Sequence, residues 1–124
     1  MIEPTFEKIA LMSERVQNGA RWLDSFEDGW REELRSGPFK INIGDYCVLG
    51  SLEHRVWLHR ETTNACGYEI ACEAFNIGLT VSVNRGFLFD EDYTEFRTLQ
   101  WLWEAEFSET PGIGFAAFRR AALA

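Results

Sequence analysis

Between Pro4 and Phe26 the residues Phe6, Ile9, Ser13, Val16, Ala20 and Leu23 recur every three to four positions, the spacing of one face of an α-helix. Pro4 suits a first helical turn, and Glu3 and Glu7 complement its positive end. A helix this long fixes the class of the whole chain, because 124 residues make one domain with one core and the remaining elements must pack around it. Leu11 and Trp22 fall on the other side of this helix, which implies a second contact surface or burial on both flanks.

The same period continues downstream. Asp28-Gly29 interrupts the first helix, Trp30 to Arg35 supplies a short second one, and Ser36-Gly37-Pro38 ends it. Asp45 is the expected cap of a third helix carrying Val48, Leu49, Leu52 and Val56 on one face up to about His59. A fourth spans roughly Asn64 to Ile77, with Gly78 as its stop. Asp90 is the expected cap of the last long helix, whose inner face is Phe96, Leu99, Trp103 and Phe107, with Trp101 on the opposite side. Two short runs, 39–43 and 79–83, alternate with the period of a strand and leave room for a minor two-stranded ribbon. The expectation is a mainly α fold: a single-domain bundle of four to five helices over 1–124, with its core at about 4–109 and 110–124 as a tail or short helix.

Charge narrows the partners. A net charge of −8 repels a nucleic-acid backbone and an anionic membrane surface, so no direct nucleic-acid binding and no membrane binding are expected, and a basic protein surface is favoured. No apolar run reaches the roughly 18 residues of a bilayer span, and no charged segment leads into an apolar stretch at the start, which points to the cytoplasm with Cys47, Cys66 and Cys72 reduced.

Catalytic and metal-binding patterns are weak. Cys47 in the first turn of a helix is a conceivable nucleophile, but a small buried hydrophobe is the commoner role. His54 and His59 are five residues apart, which turns them away from each other on a helix, and no Cys-x-x-Cys accompanies them. No cofactor and no enzymatic activity are expected, with Asp45, Cys47, His54 and His59 as the candidates for a small-ligand pocket or enzyme site. The segment 90–109 carries Asp90, Glu91, Asp92, Glu95, Glu104, Glu106 and Glu109 against Arg97, which reads first as a solvated face and second as an acidic mimic of nucleic acid. Trp22 and Trp101 off the core face, with Glu91, Asp92 and Glu95, are the candidates for partner binding, and two exposed tryptophans would also suit a homodimer.

The stretch Gly19-Ala20-Arg21-Trp22-Leu23-Asp24, then Gly29-Trp30, then Cys47-Val48-Leu49-Gly50-Ser51-Leu52 and later Gly86-Phe87 resembles a pattern in small proteins of actinobacterial phages and prophages. Asp28 stands where that pattern has proline, and Ser51 where it has glutamine. The resemblance implies a cytoplasmic phage- or prophage-encoded protein and favours small accessory proteins that bind host components. Together with the acidic charge, the surplus of aromatic residues and the missing catalytic constellations, it leads to the expectation of a non-enzymatic module that binds a host or phage macromolecule.

Overall fold

A computed structural model describes residues 5–59, 65–89 and 95–108. Six α-helices lie among them: α1 (Phe6–Asp24), α2 (Trp30–Arg35), α3 (Val48–Leu52), α4 (Gly67–Ala74), α5 (Leu79–Asn84) and α6 (Phe96–Phe107). A π-helical turn, Glu53–Trp57, continues α3 without a break. The fold is mainly α, as the periodicity implies.

Thr5 caps α1 by accepting from the Lys8 backbone N–H at 3.2 Å. Ile9, Met12, Val16, Ala20 and Leu23 are buried, while Phe6 at the end of that stripe is exposed. The stripe packs on α6, whose Leu99, Leu102 and Trp103 are buried. Gly19 makes the close approach feasible, since a Cβ there would lie 2.1 Å from the Arg85 carbonyl oxygen and 3.0 Å from the Trp103 ring. The indole N–H of Trp103 donates to the Gly86 carbonyl at 2.6 Å and that of Trp30 to Asp24 at 2.8 Å, so the two buried tryptophans of the core have their polar atoms satisfied.

A polar network centred on the buried Glu106 ties α2 to the two long helices, α1 and α6. Glu106 on α6 accepts from Gln17 at 2.8 Å and from Arg31 at 3.0 Å, and Arg31 also reaches Asp24 at 2.6 Å. Desolvation raises the Asp24 carboxyl, but hydrogen bonds from Arg31 and Trp30 outweigh it and hold the group below its usual value.

Helices α3 and α4 meet backbone to backbone. A Cβ on Gly50 would lie 1.9 Å from the Gly44 carbonyl oxygen, and one on Gly67 would lie 2.9 Å from the Gly50 Cα. Glycine at both positions permits the contact.

Several boundaries differ from the sequence expectation. The ribbon is not formed: 79–83 lies within α5, 39–43 is turn and irregular chain, and no strand occurs among the described residues. Alternation over so few residues does not separate a strand from a short helix. Cys47, not Asp45, is the N-cap of α3, with its sulfur accepting from Gly50 N–H at 3.4 Å. Asn76, at φ 54°, ends α4, and Gly78 instead caps α5. Pro4, Asn64, Asp90 and the segment 109–124 lie outside the described residues.

Candidate interaction face

Six rings from distant parts of the chain converge on one side of the molecule. Trp22, half-buried on α1, meets Phe26 at 4.6 Å, Phe75 at 5.5 Å and Phe87 at 5.6 Å, and the Arg85 guanidinium sits 4.8 Å over its indole. Trp57, from the π-helical turn, packs edge-on to Phe75 at 4.7 Å and stacks on Phe26 at 6.1 Å. His59 adds a sixth ring, 5.5 Å from Phe75. Phe26 is 43% exposed and the neighbouring Leu58 is 66% exposed, so this cluster reaches the surface rather than closing over itself.

The backbone beside the cluster is unusual. Leu58 N–H donates to the Glu53 carbonyl at 2.9 Å, the five-residue bond of a π turn, and Leu58 itself adopts φ 53°. A branched side chain in the left-handed region costs roughly 1–2 kcal/mol. Both neighbours are pinned: the Trp57 indole N–H donates to the Glu27 carboxylate, and Glu53, 1% exposed, receives the backbone N–H of His59 and holds its Nδ1 at 2.7 Å. Two carboxylates therefore fix the chain on either side of Leu58 and leave its isobutyl group outward.

Trp101 occupies a separate place. It is half-buried in a groove of about 570 Å³ between α6 and the loop after α2, lined also by Lys40, Asn42, Ile43, Phe96, Arg97, Gln100 and Glu104. The two tryptophans chosen for lying off the core face thus belong to two different surfaces.

The acidic candidates fare differently. Glu95 is buried, with Lys8 at 2.7 Å from its carboxylate, so it is not offered to a partner. Glu106 is buried in the Arg31 network, and of the acids in the described part of that stretch only Glu104 is exposed. The one-sided acidic stripe is broken there, because the helical wheel gives Glu106 to the core side. Glu91 and Asp92 lie outside the described residues.

The pocket candidates divide into two groups. Asp45 brings together His54 Nε2 at 2.8 Å and the Gly67 backbone N–H at 2.8 Å, joining the start of α4 to the π turn. His59 belongs instead to Glu53 and the aromatic face. Cys47 is 2% exposed, and burial pushes its thiol up to about 12, the reverse of what a thiolate nucleophile requires. Nearby, burial also pushes the Tyr68 hydroxyl, which donates to Ser82 Oγ at 2.9 Å, up to about 12. Among the described residues no group of three His, Cys, Asp or Glu is placed to hold a metal ion, and no helix is long and apolar enough to cross a membrane.

Sequence reasoning found Trp22 but missed Phe26, Trp57, Leu58 and Phe75. One signal was present: Trp57 and Leu58 are off the Val48–Leu49–Leu52–Val56 face, the same criterion that singled out Trp22. Comparison with protein families, with curated proteins and with solved structures returned no match.

Proposed function

We propose that this chain is a non-enzymatic interaction module that docks a host or phage protein on the face formed by Trp22, Phe26, Trp57, Leu58 and Phe75. The observation that carries the reading is Leu58, held outward in a strained backbone by carboxylates that pin both of its neighbours. Strain of this kind is retained where an exposed side chain has work to do. Exposed apolar side chains beside half-buried aromatic rings match the anatomy of binding hot spots. The chain's net charge of −8 favours a partner with a basic rim around its apolar anchor. The sequence resemblance to actinobacterial phage proteins supports a cytoplasmic accessory role in the host cell.

The test is affinity capture of the tagged protein from actinobacterial lysate, with Leu58→Gly, Phe26→Ser and, as a control on another exposed apolar position, Leu11→Ser. A stoichiometric protein bound by wild type and by Leu11→Ser, and lost with both face variants, supports the reading. Self-association lost with the same two variants would identify a second copy as the occupant. A partner retained by both face variants, or no partner and a monomeric protein, would overturn it.

A further inference from the structure

The aromatic face carries positive charge at its Trp22 edge. Arg85 follows α5, and the chain beneath its side chain is clamped to the core on both sides: the Asn84 carbonyl accepts from the Asn18 amide at 3.2 Å, and the Gly86 carbonyl accepts from the Trp103 indole at 2.6 Å. Gly86, at φ 70°, turns the chain against α1, where a Cβ would lie 3.0 Å from the Val16 backbone. The guanidinium of the half-buried Arg85 is thereby delivered onto the Trp22 indole, 4.8 Å from the ring centroid. An indole attracts a guanidinium through its ring face and takes up none of its N–H donors.

A second arginine stands at the same edge. Arg21, exposed and next to Trp22 in the chain, donates to Asn18 Oδ1, and the other end of that amide holds the carbonyl of Asn84, the residue before Arg85. Asn18 therefore ties both arginines to one corner. Among the described residues no carboxylate pairs with either guanidinium. Acidic residues belong to the other parts of the face: Glu27 and Asp28 directly follow Phe26, and the exposed Glu73 stands two residues before Phe75. In a chain of net charge −8, the face is thus acidic at its Phe26 and Phe75 side and cationic at Trp22.

Resting on the reading of this face as a docking surface, we propose that the corner of Arg21 and Arg85 receives a carboxylate side chain of the partner protein, next to the apolar side chain that seats on Trp22, Phe26 and Leu58. The docked segment is then mixed in charge: basic where it meets Glu27, Asp28 and Glu73, and acidic at this corner. The seat on Trp22 holds Arg85 in place before binding, so the charge-assisted hydrogen bonds form without first ordering that side chain. Opposite charges at the two sides also give the segment one direction across the face.

The probe is an end-capped pentapeptide with a single glutamate followed by leucine and phenylalanine, titrated into the full chain and followed by the Trp22 indole N–H signal in nitrogen-labelled protein, assigned with Trp22→Phe. The expected result is a saturable shift of that signal, at least about tenfold weaker binding of the glutamine-for-glutamate peptide, and loss of this preference in Arg85→Glu and Arg21→Glu. Arg85→Glu is further expected to bind the lysine-for-glutamate peptide more tightly than wild type does, a gain that a failure to fold cannot produce. Equal binding of the glutamate and glutamine peptides, an unchanged preference in both variants, or no shift at millimolar peptide would overturn the proposal. Equal binding would still leave the face an apolar dock, whereas lysate capture unaffected by Leu58→Gly and Phe26→Ser would overturn the docking reading itself.

Discussion

Phe26 lies nearly parallel to Trp57, ring centroids 6.1 Å apart and planes 20° from parallel, with much of Phe26 open to solvent. One ring follows the end of α1 and the other ends the π-helical turn, so the stack joins two segments that no local periodicity links. It also places Leu58, the residue after Trp57, at the edge of the same surface.

That arrangement predicts a trade between stability and binding. Leu58→Gly relieves the left-handed backbone, and against the added chain freedom of glycine the net effect is a gain of roughly 0.5–1 kcal/mol in a urea titration. The same variant loses the captured partner. Phe26→Ser behaves differently, costing about 1–1.5 kcal/mol through lost ring contacts while also abolishing capture.

The Arg31 and Glu106 pair predicts a large, asymmetric cost. Arg31→Met takes away the guanidinium 3.0 Å from the buried Glu106 carboxylate, a loss of about 3 kcal/mol. Adding Glu106→Gln removes the charge that Arg31 faced and restores about 1 kcal/mol or more. A double-mutant cycle measured by urea unfolding checks both figures.

Gly50 predicts the reverse of helix propensity. Replacing a helical glycine by alanine normally stabilises by up to about 1 kcal/mol. Here the added methyl would lie 1.9 Å from the Gly44 carbonyl oxygen, so Gly50→Ala forces α3 away from the loop and destabilises by about 1–3 kcal/mol. Thermal unfolding followed by circular dichroism reads the sign directly.

Cys47 predicts a loss of stability in alkali. Its folded value is raised from 9.0 to about 12 by burial, so the unfolded chain loses the proton first. The contribution is intact below pH 9 and falls as the pH rises toward the folded value; Tyr68, raised from 10.0 to about 12, acts with the same sign. The urea midpoint should fall between pH 9 and 11, and fall less steeply in Cys47→Ala. Ellman's reagent should leave Cys47 unmodified in the native protein.

The fold class was legible because α1 and α6 each bury a stripe long enough for the helical period to assert itself, with Ile9, Val16, Ala20 and Leu23 facing Leu99, Leu102 and Trp103. Short elements were not. Leu79 to Val83 alternates as a strand would, and only its place in the fold makes it a helix, with Gly78 capping it and Ser82 buried. The aromatic face was half legible: Trp22 stands out on a helical wheel, but Phe26, Phe75 and Trp57 join it through tertiary contacts. Leu58 shares with Trp57 the off-face position that the sequence shows, but its left-handed backbone has no sequence signature, because the Glu27 and Glu53 contacts that hold its neighbours are tertiary or side-chain contacts.

Docking on the aromatic face is read by hydrogen–deuterium exchange on the purified complex with the captured protein. Slowed exchange is expected in 22–27, 53–59 and 71–77, with 96–104 unchanged. Protection elsewhere, with those three segments exchanging as in the free protein, would contradict it.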